Sequence, residues 1–465
     1  MTEELLAALP KSLEDVVEAT RARLLRGSPL LRFEGVSIDS RSLRAGELFF
    51  AIEGPRFDGH DFVAEVARRG AAGAVVRRDA EAPAGFPLLQ VDDTTAALAR
   101  LARETRERAA VPVLAVTGST GKTTTKDMAA ALLATRGPVL KTEGNLNNRY
   151  GLPLTLLRLE ENHTAAALEL GMSAAGELRA LAQIARPDVA VITRVAPVHL
   201  EFFASLEAIA DAKAEILEGL GPSGVAVLNG DDPLLRERGR RHAGRVVWFG
   251  RDRRFEVSAE NWRGNAFGMR FDLVVEGRKQ DVALPLAGAH FVQNFLAAAA
   301  AAFTLGIRPE VMAAAAAGMR PAPHRGAVRR LGSGVVLFDD CYNSNPVALE
   351  AALDALQLAR GARRVAILGD MLELGESGPA LHREAGRKAA GRLELLVGVG
   401  PLAEQLVAGA AGQTATVHVP DVEAAAAALD ELVRPGDVVL VKGSRGVQLE
   451  RLVDALLARF GEERA

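Results

Sequence analysis

Residues 113–126 place an apolar run, Val113-Leu114-Ala115-Val116, directly before Thr117-Gly118-Ser119-Thr120-Gly121-Lys122-Thr123-Thr124-Thr125-Lys126. A strand that enters such a loop and then a helix turns backbone N–H groups inward around phosphate, and the helix N-terminus adds partial positive charge. In that reading Gly118, Ser119, Thr120 and Gly121 form the cradle. Lys122 reaches the terminal phosphates, and the hydroxyl of Thr123 or Thr124 ligates Mg²⁺. The helix is expected over 127–135. The spacing departs from the longer G-x-x-x-x-G-K pattern, because Val116 stands where that pattern needs its first glycine. The loop is the compact G-x-x-G-K-T form. It implies a user of nucleoside triphosphate; the structural alternative is a glycine-rich turn that binds nothing.

Lysine is scarce. Only eight of the 56 basic residues are lysine, at 11, 122, 126, 141, 213, 279, 388 and 442. Arginine is a planar fork that is always charged, whereas lysine can lose its proton and act as a nucleophile. The bias therefore singles out Lys122, Lys213 and Lys442. Lys213 falls in the helical run 206–217, where the structural alternative is an exposed helical lysine beside Glu215 or Glu218.

Other candidates follow expected strands. Glu169 ends the run Ala166-Ala167-Leu168, and a carboxylate at the carboxyl end of a parallel strand points into the ligand crevice of an α/β sheet. Its hard oxygens suit Mg²⁺; the alternative is a solvent-facing or capping glutamate. His199 lies in the loop after the expected strand 189–193, and a lone histidine is as often structural. Asn294 is expected to open an alanine-rich helix, where it either pairs with adenine in bidentate fashion or satisfies backbone groups. Arg325, then Asp339-Asp340-Cys341-Tyr342-Asn343-Ser344-Asn345-Pro346, then Leu368-Gly369-Asp370-Met371-Leu372-Glu373-Leu374-Gly375, then Lys442-Gly443-Ser444-Arg445-Gly446 put polar residues at consecutive strand ends. Such a series implies a site, with ribose or phosphate contacts at the Asp-Asp segment.

The elements that must position these groups divide the chain into three expected domains. Residues 1–108 carry Asp39-Ser40-Arg41, a helix over 62–69, a strand over 73–76 and an arginine-rich helix over 94–108. Residues 109–319 alternate strands (113–116, 165–168, 189–193, 225–228) with helices, the pattern of a parallel α/β sheet. An antiparallel stretch over 255–286 and the alanine helix 291–305 follow. Residues 320–465 alternate strands (335–338, 365–368, 395–399, 438–441) with helices (346–358, 380–390, 422–432, 449–457). That is a second doubly wound, Rossmann-like sheet without the dinucleotide fingerprint. The expected fold class is α/β.

Composition excludes several functions. A formal net charge of −3 gives no electrostatic footprint for nucleic acid or anionic lipid. The single cysteine excludes a disulfide framework and a cysteine-based zinc site, and fits a reducing compartment. The N-terminus has no signal-peptide pattern and the apolar runs are too short to span a bilayer, so a cytoplasmic chain without membrane insertion is expected. A guanine-nucleotide switch would need an Asn-Lys-x-Asp motif, and no lysine here follows an asparagine.

Taken together, the compact loop, Glu169, His199, Lys213, Asn294 and the Asp-Asp-x-Tyr-Asn-x-Asn-Pro segment resemble the Mur ligase family across nearly the whole chain. Four segments resemble its D-alanyl-D-alanine-adding branch: Arg56-Phe57-Asp58-Gly59-His60-Asp61-Phe62; Gly144-Asn145-Leu146-Asn147-Asn148; Gly369 to Gly375 with His382; and Lys442-Gly443-Ser444-Arg445. The Asp-Asn-Pro-Arg acceptor motif of the diamino-acid-adding branch is absent.

The resemblance implies ATP-dependent joining of D-alanyl-D-alanine to UDP-N-acetylmuramoyl-tripeptide for peptidoglycan, by a monomer using ATP and Mg²⁺. It implies an N-terminal UDP-substrate domain with Ser40 and Arg41 near the uridine nucleotide. Asn145, Asn147 and Asn148 would hold the same substrate at a central ATP-binding domain. A C-terminal domain would contact nucleotide through Arg325, Asp340 and Asn343, with Asp339 open as the alternative to Asp340. Lys122, Glu169, His199 and Lys213 are the implied catalytic set. Thr123, Glu169, His199 and Lys213, the last as a carbamate, are the implied metal ligands. Another amino-acid-adding Mur ligase or a folylpolyglutamate synthetase is the rival, although the folate enzyme should lack the domain that 1–108 supplies.

Overall fold

The computed structural model describes residues 9–463 apart from 10, 79, 199–200 and 360–362. The alternation of apolar runs with amphipathic helices produces three sheets. In the first, strands β1 (Arg23–Arg26), β2 (Gly35–Ser37), β3 (Glu47–Phe50), β4 (Gly73–Val76) and β5 (Leu88–Gln90) lie in the order β1-β5-β4-β3-β2. Only β1 runs antiparallel to its neighbour. All four residues of β4 are buried, as a continuous apolar run in a parallel sheet requires. The helix Thr94–Arg108 covers this sheet. Asp93 caps it by accepting from the N–H groups of Thr95 and Ala96, and Ala97, Leu98, Leu101 and Thr105 form its buried stripe.

The second sheet has nine strands: β6 (Val113–Thr117), β7 (Val139–Lys141), β8 (Ala165–Glu169), β9 (Val189–Ile192), β10 (Val225–Asn229), β11 (Arg245–Gly250), β12 (Val257–Asn265), β13 (Gly268–Val275) and β14 (Arg278–Leu284). Their order is β14-β13-β12-β11-β10-β9-β6-β8-β7. The β6–β8 and β7–β8 pairs are parallel, and β12–β13–β14 form the expected antiparallel run.

The third sheet, β15 (Ala327–Arg330), β16 (Val336–Asp339), β17 (Arg364–Gly369), β18 (Leu395–Val399), β19 (Ala415–Val419) and β20 (Val438–Lys442), has the order β15-β16-β20-β17-β18-β19. It is parallel except for β15. Leu349, Leu353, Leu356, Ala385 and Leu406 pack on one face, and Val422, Leu432, Leu452, Val453 and Leu456 on the other. Each such leucine contributes about 1.5–3 kcal/mol of burial, which fixes where the strand ends point.

The chain forms two compact units. One holds residues up to 117, 136–190 and 215–225; the other holds 118–135, 191–214 and 226 onward. Among the described residues, no helix is long and apolar enough to cross a membrane.

Two expectations are corrected. The helix after the glycine loop spans Lys122–Leu133, not 127–135, so Lys122 is its first residue. The alanine helix spans Ala289–Thr304, which makes Asn294 its sixth residue and not its opening one. Both helices begin with residues that carry chemistry, and that disguises the start of an apolar period. No strand was expected at β1, β2, β3, β5, β7, β11, β15 or β19. β19 is a half-exposed sheet edge, and β7 and β15 are only three and four residues long.

Candidate active site

The glycine loop is held open by its neighbours. Gly118 has φ +150°, and a Cβ there would lie 1.9 Å from Thr193 Oγ1. Gly121 has φ +79°, and a Cβ there would lie 2.2 Å from Asn294 Oδ1. Neither position accepts a side chain, for space as well as for backbone conformation.

The segment after β9 staples the loop. Ser119 N–H donates to Arg194 O at 2.7 Å. Ser119 Oγ donates to Ala196 O at 3.1 Å and accepts from Ala196 N–H at 2.9 Å. Thr193 Oγ1 donates to Thr120 O at 2.6 Å. Asn229 Nδ2 holds Thr193 O at 2.9 Å, and Asp232 accepts from Val195 N–H at 2.9 Å. Lys122 folds back on the cradle, its Nζ donating to Gly118 O at 2.8 Å. Thr123 is buried and Thr124 half-buried in the first turn. A preformed ring of this kind needs little reorganisation to take phosphate. It also brings Asn294 to the loop from a residue more than 170 positions away.

Lys213, in the helix Leu206–Ala214, is 2% exposed. Burial, and secondarily the charge of Lys122, holds its pKa well below the ordinary lysine range. Such surroundings favour the neutral, nucleophilic amine over the ammonium relative to an exposed lysine. This rules out the exposed-lysine alternative.

Glu169 is the last residue of β8 and 3% exposed. It stands in register with Val116 of β6, whose next residues lead into the glycine loop. Its N–H donates to Thr142 Oγ1 at 2.9 Å, and Oε1 accepts from Asn147 Nδ2 at 2.9 Å. The carboxylate is therefore oriented by an asparagine that the family resemblance ties to substrate. Asn148 Oδ1 accepts from the Tyr150 and Gly151 N–H groups just before the helix Gly151–Leu156. Asn145 is exposed, and its carbonyl accepts from Asn147 N–H at 2.8 Å. His199 lies outside the described residues.

In the first sheet's unit, Ser40 is buried and its carbonyl accepts from Arg69. Arg41 is exposed and grips Asp39 with Nε at 2.9 Å and Nη2 at 2.7 Å. That grip holds the Asp39 carboxyl down at about 2.

The C-terminal strand ends separate the two adjacent aspartates. Asp339 is fully buried, and its carboxylate meets His324 Nδ1 at 3.0 Å, Cys341 Sγ at 3.3 Å and Arg329 at 3.8 Å. These partners satisfy it in place. Asp340 turns the other way and pairs with Lys442 Nζ at 2.6 Å. The same ammonium donates to Asn343 O at 3.0 Å and Asp340 O at 3.3 Å. Lys442 is 3% exposed and organises the whole segment. The scarcity of lysine and its place at a polar strand end both pointed to it in the sequence. Arg325 stacks over the Tyr342 ring at 3.9 Å, and Arg445 lies 5.6 Å from the same ring.

The comparisons with known proteins agree with this geometry. Residues 32–106 match the description "Mur ligase family, catalytic domain", 116–302 "Mur ligase middle domain", and 324–445 "Mur ligase, glutamate ligase domain". The chain is 34% identical to the UDP-N-acetylmuramoyl-tripeptide–D-alanyl-D-alanine ligase of Bacillus subtilis, with 96% of this chain and 98% of that one covered. It is 37% identical to the enzyme of that name from Escherichia coli, over 92% and 94% of the two chains. Among solved structures, MurF of Acinetobacter baumannii superposes with a TM-score of 0.90 at 32% identity, covering 97% and 99%. MurF of Thermotoga maritima in complex with ADP superposes at 0.82, also at 32% identity, covering 91% and 97%.

Proposed function

Because the chain belongs to the Mur ligase family, we propose that it joins D-alanyl-D-alanine to UDP-N-acetylmuramoyl-tripeptide at the expense of ATP, making a peptidoglycan precursor. The observation that carries this reading is likeness over nearly the full length of two relatives with that activity in their names, and the stapled loop 118–122 supports it as a candidate phosphate cradle. Residues 1–108 take the UDP-linked substrate, 109–319 hold ATP, and 320–465 supply acceptor and further nucleotide contacts. Ser40 and Arg41 belong to the first role. The enzyme works as a monomer in the cytoplasm.

The terminal carboxylate of the peptide is a poor electrophile. It attacks the γ-phosphorus of ATP; the P–O bond to ADP breaks and an acyl phosphate forms. Lys122 and the N–H groups of 118–121 stabilise the charge on the transferred phosphoryl group. The amine of D-alanyl-D-alanine then adds to the acyl carbon. The tetrahedral intermediate loses phosphate, and the nitrogen loses a proton to leave the amide. Asn294, Arg325, Asp340 and Asn343 position the nucleotide.

The residues that would hold Mg²⁺ are those the family resemblance names, the Thr123 hydroxyl, the Glu169 carboxylate, a carbamate on Lys213 and His199, and their hard oxygens suit that ion. When bound, Mg²⁺ screens phosphate charge. The carbamate forms when the neutral Lys213 amine attacks CO₂ and releases a proton. Burial beside Lys122 favours that neutral amine. Asn147 keeps Glu169 oriented.

Phosphate release from ATP tests the reading. It should require UDP-tripeptide and D-alanyl-D-alanine together. Equal release with glutamate and folate substrates would contradict it.

A further inference from the structure

The loop after β17 is gripped at three successive residues by partners from three different places. Asp370 Oδ1 accepts from Ala403 N–H at 2.7 Å, and its carbonyl accepts from Ser444 N–H at 3.0 Å. Met371 N–H donates to His382 Nε2 at 2.9 Å. Leu372 N–H donates to Ser444 Oγ at 2.9 Å. His382 is completely buried, and its other nitrogen, Nδ1, donates to Gly378 O at 2.7 Å. The ring is thus fixed as a neutral tautomer with both nitrogens committed to backbone, and burial holds its pKa below the ordinary range. Ser444, 3% exposed, also donates to Ser344 O at 3.4 Å. That second contact is long, and the segment that carries Asp340 and Asn343 is held independently by Lys442.

This restraint presents an unusual surface. Leu372 is 42% exposed although its backbone is held, and Glu373 beside it is exposed with φ +62°. An apolar side chain and a carboxylate at the carboxyl end of a parallel strand suit a ligand with small methyl groups and an ammonium. A D-alanyl dipeptide is such a ligand.

We propose that His382 and Ser444 are positioning residues for the amino acceptor: they hold the Met371 and Leu372 amides so that Leu372 and Glu373 form the face on which the dipeptide docks. This rests on the ligase reading above. Neither residue touches the reacting atoms. Losing one of these bonds should therefore weaken acceptor binding and leave activation of the carboxylate intact.

Two half-reactions separate the possibilities. Steady-state assays with varied D-alanyl-D-alanine read acceptor binding. Trapping of the acyl phosphate by hydroxylamine, without acceptor, reads activation alone. Ser444→Ala should raise KM for the dipeptide about tenfold, the order expected for one lost hydrogen bond. Its hydroxamate yield should match wild type. His382→Ala should do the same, with folding checked by circular dichroism. His382→Gln, which keeps an acceptor for Met371 N–H, should recover most of the loss. An unchanged KM in Ser444→Ala, or a parallel loss of hydroxamate, would overturn the proposal. Absence of ATP-dependent hydroxamate from the wild-type enzyme would instead overturn the ligase reading, and this one with it.

Discussion

Lys122 and Lys213 are both lysines in a chain that otherwise prefers arginine, yet their surroundings ask opposite things of them. Lys122 is half-buried, and its ammonium turns back on its own loop to meet Gly118 O at 2.8 Å. It can remain an ammonium and serve as a fixed charge. Lys122→Ala should lower turnover on the order of 10²–10³-fold with an unchanged circular dichroism spectrum. Near-wild-type phosphate release would contradict the cradle. Lys213 is buried where its charged form is disfavoured by burial and by Lys122. As a carbamate it inverts its sign and becomes a metal ligand. Lys213→Arg keeps much of the stem but puts a permanently charged guanidinium there, which cannot capture CO₂. Severe loss of activity is expected, and wild-type enzyme under ¹³CO₂ should show a carbamate carbon by NMR. An active Lys213→Arg enzyme would refute the role.

Strand-end loops carry the site, and this is the scale at which the sequence is both most and least legible. The compact loop could be read directly, because its glycines, lysine and preceding strand are contiguous. Glu169 could be read because an acidic residue closing an apolar run marks a strand end. The bond from Asn147 to Glu169, the stapling of Ser119 to Ala196 and the packing of Asn294 on Gly121 could not be read. Each joins residues far apart in sequence, and nothing local encodes the meeting. The choice between Asp339 and Asp340 was undecidable for the same reason: Asp339 is drawn inward by His324, Cys341 and Arg329. Gly121→Ala tests the loop as an element. Its Cβ would meet Asn294 Oδ1 at 2.2 Å at φ +79°, so ATP affinity should fall by more than tenfold, measured by calorimetry, even if the fold survives. Unchanged affinity would show that Asn294 and the loop move freely apart.

For the whole molecule, three sheets were anticipated in kind, because long strongly periodic segments report their own structure. The edge strands β7, β15 and β19 were missed because few of their residues are buried, whereas β3, β5 and β11 lie inside their sheets and were missed for the lack of a clear period over so few residues. Stability carries a pH signature that the sequence hides. His290, next to Gly288 at the start of the helix Ala289–Thr304, has a buried Nδ1, and burial pushes its pKa down to about 4. Asp340 and Asp354 oppose that depression and Lys442 adds to it. In the unfolded chain the same ring titrates near its ordinary 6.5. Between those values the unfolded state binds the proton that the folded state refuses. Stability should therefore fall as pH drops from 6.5 toward 4, by at most about 1.4 kcal/mol for each pH unit crossed. Comparing the pH dependence of Tm in wild type and His290→Gln checks this; parallel curves would contradict it.

The central claim concerns which amine the activated peptide accepts. The most direct measurement incubates the enzyme with ATP, UDP-N-acetylmuramoyl-tripeptide and D-alanyl-D-alanine, and weighs the product by mass spectrometry. A parallel reaction offers UDP-N-acetylmuramoyl-dipeptide and a diamino acid. The account predicts a UDP-pentapeptide, with one ADP and one phosphate per bond, in the first reaction only. Robust diamino-acid addition with no pentapeptide would contradict it.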